Sequence, residues 1–157
     1  MIGNLTGNEI EAVLLEQQVG HLGCHADDLT LVVPISYAYD GTYIYGHTRE
    51  GLKVGMMRKN PRVCFEVDIL HDMANWRSVI TWGTFEELTD TAEREAALTV
   101  LVNRILPLNS SETTHLYPQW PFPNDNLNDI KGIVFRLHLT SKTGRYESNS
   151  TTAAIAG

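Results

Sequence analysis

No stretch of this 157-residue chain is apolar for long enough to cross a lipid bilayer. Its first residues, Met1 to Glu16, contain neither the basic segment nor the long apolar segment of a secretory signal peptide. Positive charge is also scarce: 12 Lys and Arg face 19 Asp and Glu, for a net charge of -7. Nucleic-acid binding requires many cations that neutralise phosphates. These absences predict a cytoplasmic protein that acts on neither membranes nor nucleic acids.

Cysteine is equally rare, and the signatures of several enzyme classes are missing. Cys24 and Cys64 are far apart in the sequence and form no metal-binding pair, so we expect two small buried hydrophobic residues. His21 and His25 flank Cys24, but no second pair of ligands has zinc spacing, and we predict no metal site. The chain contains no P-loop, no GxGxxG and no GxSxG motif, which disfavours standard nucleotide-binding folds and serine hydrolysis.

What the sequence does contain is a hydrophobic pattern with a period of two. It predicts strands at 20–26, 31–39, 42–47, 63–69, 79–88 and 133–139. Helical spacing predicts helices at 6–17, 48–60 and 91–106, the first two with Thr6 and Thr48 as N-caps. About six strands joined mainly by hairpins indicate an antiparallel barrel or sandwich. We predict one domain over residues 1–148 and a flexible tail over 149–157.

One polar segment, Tyr45 to Lys53, follows a strand and opens the second predicted helix. Free N–H groups at a helix N-terminus bind anions, and Thr48, Arg49 and Lys53 would add a hydroxyl and two cations. Five of the 12 basic residues fall between Arg49 and Arg62. The pattern therefore predicts a phosphate site, with a solvated basic helix face as the alternative. His47 precedes this turn and is a candidate catalytic residue or a structural histidine.

A second segment, residues 75–83, combines donors with aromatic rings. Arg77 and Ser78 open a strand, and Trp76 and Trp82 are suited to stacking on a planar ligand. Aromatic residues in strands are also common in the core, so this alternative stays open.

Four segments occur in an order that resembles a known family: VPISYAYDG at 33–41, IYGHTREGLK at 44–53, RKNPRVCFEVD at 58–68 and SVITWG at 78–83. Together they resemble the pyridoxamine 5'-phosphate oxidase-like FMN-binding split barrels. Within these, they are most similar to the nitroimidazole-resistance (Nim-type) branch. The resemblance covers residues 20–106.

The resemblance implies a mainly β fold, a six-stranded antiparallel Greek-key split barrel with a few helices. It also implies a homodimer with FMN in two grooves at the subunit interface. By position it implies that His47 belongs to the active site and that Lys53 binds the FMN phosphate. The complete set of implied cofactor-binding residues is Val33, Pro34, Ile35, Ser36, His47, Thr48, Arg49, Lys53, Arg77 and Ser78.

The function implied is a flavin-dependent oxidoreductase acting on a small molecule, such as a nitroaromatic compound. A flavin carrier or sensor without turnover would use the same residues, and a haem-binding protein would use His47 as an axial ligand or polar contact. The Pro-rich segment 107–128 matches no family pattern, but its length is typical of a functional loop. Trp120 or Phe122 in this segment would close the site.

Overall fold

A computed structural model of the chain describes residues 1–104 and 127–149. In these ranges it contains seven strands, three α-helices and a 3₁₀ helix at Leu127–Asp129. None of these helices is both long and apolar enough to span a bilayer. The strands and helices, in chain order, are β1 (Ile2–Asn4), α1 (Gly7–Glu16), β2 (Val19–Ala26), β3 (Leu29–Tyr39), β4 (Tyr43–Thr48), α2 (Leu52–Lys59), β5 (Arg62–Asp72), β6 (Asn75–Glu87), α3 (Thr91–Asn103) and β7 (Ile133–Glu147).

Six of the strands close into an antiparallel barrel in the order β7-β4-β3-β2-β5-β6, with β6 pairing back to β7. The closing strand, β7, pairs with β4 through its first half and with β6 along most of its length. A register shift opposite Trp82 and Gly83 interrupts the second ladder. β1 adds a short seventh strand to the end of β7. The mainly β split-barrel prediction is thus confirmed.

The barrel interior follows the predicted alternation. Val33, Ile35, Tyr37 and Tyr39 share one face of β3 and belong to or pack against a single core cluster. Cys24 on β2 lies in that core, whereas Cys64 is only half-buried, and both thiols are free. Strand side chains alternate between the interior and the outer face.

The helices cover the two ends and one side of the barrel. α1 lies at one end, where Thr6 caps it as predicted and the Tyr37 hydroxyl donates to the Leu14 carbonyl at 2.7 Å. α2 lies at the other end and inserts Met56 and Met57 into the same core. α3 packs outside, in a second cluster that includes Ala38, Tyr45, Val134 and Leu98.

Some predicted boundaries were wrong. α2 begins at Leu52 rather than at Thr48, because Thr48 remains in β4 and pairs with Ile133 of β7. β7 continues to Glu147, because its second half pairs with β6. Trp120, Phe122 and the tail beyond Asn149 lie outside the described residues, so their predicted roles stay predictions.

Two glycine substitutions will report how tightly the barrel is closed. A Cβ on Gly83 would lie 2.3 Å from the backbone oxygen of His138, whereas a Cβ on Gly55 in α2 meets nothing within 4 Å. We expect Gly83→Ala to lower the free energy of unfolding by about 1–3 kcal/mol through overpacking. Gly55→Ala should raise it by about 0.5–1 kcal/mol through helix propensity. Urea unfolding measures both, and a neutral Gly83→Ala would contradict the close β6–β7 contact.

Candidate functional site

An open strand edge lies beside the end of β4. β3 pairs with β2 from Leu29 to Ser36, but it pairs with β4 only from Tyr37 to Tyr39. β4 continues to pair with β7 as far as Thr48. The two strands therefore separate, and among the described residues no strand covers the β4 side of β3 between residues 29 and 36. This edge is the split in the barrel.

Pro34 fits the open edge. The Tyr37 N–H donates to the Gln18 carbonyl on the β2 side at 2.9 Å. Because backbone groups alternate along a strand, the backbone positions of Val32, Pro34 and Ser36 face the opposite, open side. A proline there costs the β2–β3 ladder no hydrogen bond. Within the segment Val33–Ser36, predicted to bind the cofactor, the Pro34 carbonyl and the Ser36 N–H and carbonyl thus face a side that no described strand covers.

Three cations without carboxylate partners among the described residues follow β4 in the chain or lie in the loop that His47 contacts. Among the described residues, the side chains of Arg49, Lys53 and Lys131 form neither a hydrogen bond nor an ion pair. Other bases nearby are paired: Arg58 bonds to Glu50 and Glu87, and Lys59 bonds to Asp27 at 2.5 Å. The basic segment seen in the sequence is therefore only partly available, and Lys53, which is half-buried, is its best-placed member.

Lys131 is held against the end of β4 by contacts that no local pattern in the sequence predicted. His47 Nε2 lies 2.5 Å from the Lys131 carbonyl oxygen. The next residue, Gly132, has a φ of 101°, and a Cβ there would lie 2.7 Å from the Thr48 carbonyl oxygen. Arg94 of α3 fixes the same loop by donating to the Gly132 carbonyl at 3.1 Å and to the Ile130 carbonyl.

His47 has a structural role in these contacts. Burial lowers its pKa, and the positive charges of Arg94 and Arg104 act in the same direction, against the opposing effect of the Lys131 carbonyl. The imidazole is therefore neutral near pH 7 and donates its Nε2 proton to that carbonyl. The catalytic role of His47 stays a prediction.

Arg104 adds a further positive charge on this side. Its Nε and Nη1 atoms are buried and have no hydrogen-bond partner in the described structure. Burial lowers its pKa to about 10, so the guanidinium is still charged at neutral pH. Uncompensated cations around an open strand edge fit an anionic ligand with a planar polar group, which is the chemistry of a flavin phosphate and ring.

The sheet surface of β3, β2, β5 and β6 that points away from the barrel interior, here called the outer face, carries several exposed apolar side chains. Strand register places Val32, Gly23, Cys64 and Trp82 in one row across it. Val32 is 64% exposed and Trp82 is 42% exposed, and Val19 and Ile80 add to this surface. Large exposed apolar patches are typical of interaction sites.

The side chains of Arg77 and Ser78 lie on opposite faces of β6. Adjacent strand residues point to opposite faces, and Arg77 lines a cleft of about 640 Å³ at the α1 end, near Ile69 and Tyr146. Ser78 lies on the outer face, where its hydroxyl donates to Glu66 Oε1 at 3.2 Å. Only Ser78 therefore shares a face with Pro34 and Ser36, and Arg77 lies at the other end of the barrel from Lys53.

The two tryptophans also differ. Trp76 Nε1 donates to Glu147 Oε2 at 3.0 Å, and Trp76 lines the same cleft as Arg77. Trp82 stands exposed on the outer face. Of the two predicted stacking residues, Trp82 is thus the one on the face that carries Ser78.

Comparisons with known proteins match this chain over nearly its full length. The sequence family described as Pyridoxamine 5'-phosphate oxidase matches residues 6–146. An uncharacterized protein of Rhizobium meliloti is 31% identical over 152 residues, which is 90% of this chain and 92% of the relative. Both results concern the same residues that form the barrel.

Solved structures agree. The crystal structure of a FAD-binding protein from Mesorhizobium loti is 30% identical, with a TM-score of 0.72 over 94% of this chain and 99% of that one. A proposed 5-nitroimidazole antibiotic resistance protein from Bacteroides thetaiotaomicron is 18% identical, with a TM-score of 0.69 over 93% of this chain and 87% of that one. The second likeness shows the fold alone.

The pKa of His47 predicts how stability depends on pH. Because folding lowers this pKa below its ordinary value of 6.5, the unfolded chain binds more protons than the folded chain just below pH 6.5. The contribution of His47 is complete above pH 6.5 and is lost as the pH falls toward the lowered pKa. We expect melting temperatures between pH 7.5 and 5 to fall less for His47→Gln than for wild type. Exposed His71→Gln is the control, and equal slopes for His47→Gln and wild type would contradict the assignment.

Proposed function

Since the chain belongs to the pyridoxamine 5'-phosphate oxidase family, we propose that it is a flavin-dependent oxidoreductase that acts on a small molecule. The observation that carries the proposal is the open edge of β3 beside the uncompensated cations at the end of β4. A strand edge of this kind can bond to a heterocyclic ring, and the cations can neutralise a phosphate.

The phosphate would lie at the end of β4. Lys53 supplies a half-buried ammonium from the first turn of α2, where free N–H groups add to the positive potential. Arg49 and Lys131 add charge from the two adjoining loops, and Thr48 offers a hydroxyl. Since this part of the chain has no carboxylate bound to these cations, anion binding would break no ion pair among the described residues.

The ring would lie along Val33–Ser36. Free N–H and carbonyl groups of Val32 and Ser36 can hydrogen-bond to ring atoms, and Ser78 can contact the ligand from the other side of the outer face. A bound flavin supplies the electron-transfer chemistry, while the protein binds, orients and tunes it. His47 keeps the loop at 130–132 next to the phosphate position.

We propose FMN as the flavin. The chain is one compact barrel, and it contains no dinucleotide fingerprint. The Mesorhizobium loti relative is FAD-binding, so the mass of the cofactor released from the purified protein is the deciding observation.

We also propose a homodimer that buries the outer face. Val32, Val19 and Trp82 are exposed there, and a second copy would remove this apolar surface from water. The dimer would cover a flavin that one barrel holds only from one side. Exposure of the ring at the rim would admit a small electron acceptor, with a nitroaromatic compound as the first to be tested.

Replacing Lys53 tests the phosphate site. We expect Lys53→Ala to weaken FMN binding by about 10- to 100-fold, because it removes a charge-assisted hydrogen bond. Fluorescence titration of flavin-free protein measures the dissociation constant. Lys59→Ala is the matched control, since Lys59 lies on the same helix but pairs with Asp27, and its affinity should stay at the wild-type value.

Several outcomes would decide between the candidate functions. A haem spectrum would replace the flavin proposal, although His47 Nε2 is already bonded to a backbone carbonyl. A flavoprotein that fails to oxidise reduced nicotinamide with any added acceptor would be a carrier or sensor. A colourless protein that also fails to bind added FMN would overturn the proposal entirely.

A charge on the outer face tests the dimer. We expect Trp82→Glu to shift the sedimentation coefficient from that of a dimer to that of a monomer, because the interface would have to bury an unpaired carboxylate. Val102→Glu on α3 is the control, since Val102 is also 42% exposed. A Trp82→Glu variant that stays dimeric would place the interface elsewhere.

A further inference from the structure

Three polar side chains on neighbouring strands form a hydrogen-bonded chain on the outer face. His21 Nδ1 of β2 lies 3.2 Å from Glu66 Oε2 of β5. The Ser78 hydroxyl of β6 donates to the other carboxylate oxygen, Oε1, also at 3.2 Å. Both oxygens of Glu66 are thus engaged, which fixes the carboxylate between its two partners.

This chain of hydrogen bonds fixes the orientation of the His21 imidazole. A carboxylate that accepts from Nδ1 selects the tautomer or charge state with a proton on that nitrogen. The other nitrogen, Nε2, lies on the opposite edge of the ring and therefore faces away from β5. The side chain is 47% exposed, so a ligand on the outer face can reach it.

Strand register places His21 next to the predicted ring-binding segment. His21 is directly opposite Pro34 on β3 and directly opposite Glu66 on β5. β2 and β5 therefore lie between Pro34 on one side and Ser78 on the other. With strands about 4.8 Å apart, β3 and β6 are separated by roughly 14 Å. Ser78 lies in the next outward-facing row, opposite Asp68 and diagonal to Glu66, so a ligand that extends from Pro34 to Ser78 passes over His21 and Glu66.

We propose that His21 binds the flavin directly through Nε2, with Glu66 and Ser78 as the residues that orient it. This inference rests on the proposed flavin site and adds a contact to it. Val19 and Ile80 are exposed neighbours on the same face, and in the proposed dimer, where this face is covered, they would exclude water that competes for the hydrogen bond. A cross-strand pair with only a structural role would affect stability but not the bound cofactor.

The chain provides a matched control on the same strand. His25 shares β2 and the outer face with His21, but its Nδ1 bonds to the hydroxyl of Thr30 at 2.9 Å instead of a carboxylate. It also lies further from the row that contains Ser78 and Ser36. His25→Gln and His21→Gln thus remove the same group from two exposed positions that differ in their Nδ1 partner and in their place along the strand.

The test is a titration of flavin-free protein with FMN, followed by both fluorescence and the visible difference spectrum. We expect His21→Gln to raise the dissociation constant about tenfold, the loss of one hydrogen bond, and to change the difference spectrum. Glu66→Gln, which leaves His21 in place but removes its anionic partner, should give a smaller change of the same sign. His25→Gln should match wild type in both readouts.

Three outcomes of this titration would overturn the proposed His21 contact. Wild-type affinity and an unaltered spectrum in His21→Gln, with wild type itself binding FMN, would overturn the His21 contact and leave the flavin site intact. A wild-type protein that binds no flavin would overturn the proposed function and this inference together. Equal losses in His21→Gln and His25→Gln would mean a non-specific effect of the outer face and would also overturn it.

Discussion

The separation of β4 from β3 is the constraint on which the rest of the site depends. Gly46 is the last residue of β4 in register with both neighbouring strands, opposite Tyr37 of β3 and Phe135 of β7, and a Cβ there would lie 2.4 Å from the ring of Phe135. Beyond Gly46, the pairing of β4 with β7 alone leaves the edge of β3 open among the described residues. It also keeps Thr48 in a strand, so the chain needs the short loop at 49–51 before α2 begins. The open edge of β3 and the loop that carries Arg49 therefore have the same structural origin.

Ion pairing determines which basic residues of this acidic protein remain available to bind an anion. Arg58 and Lys59 lie on α2 with Lys53, yet their side chains reach carboxylates on β6 and in the β2–β3 turn. Exposed ion pairs of this kind contribute little to stability. They nevertheless hold Arg58 and Lys59 against carboxylates, so that these two cations are not available to a ligand. Lys53, Arg49 and Lys131 are left with their charge uncompensated among the described residues. These three residues are therefore available to an anionic ligand despite the net charge of -7.

Much of the fold could be predicted because it depends on local periodicity. Alternation along Val33, Ile35, Tyr37 and Tyr39 predicted the inner face of β3, and Thr6 predicted the start of α1. The start of α2 could not be predicted in this way, since tertiary pairing of Thr48 with Ile133 overrides a favourable capping residue. Lys131 was missed for a related reason. Its place beside β4 depends on a His47 contact between segments that are distant in the sequence.

Sequence similarity identifies which residue matches a family position, but the face to which its side chain points follows from the alternation of side chains along the strand. Arg77 and Ser78 were predicted as one pair of cofactor contacts, but as consecutive strand residues they point to opposite faces of β6 in one barrel. This alternation instead groups Ser78 with Glu66, His21 and Pro34, which are far apart in the chain and adjacent across four strands. A ligand site of this shape is a flat surface rather than a pocket within one barrel. Such a surface excludes water only when something covers it, and the exposed Val32 and Trp82 around it are the side chains that a covering subunit would bury.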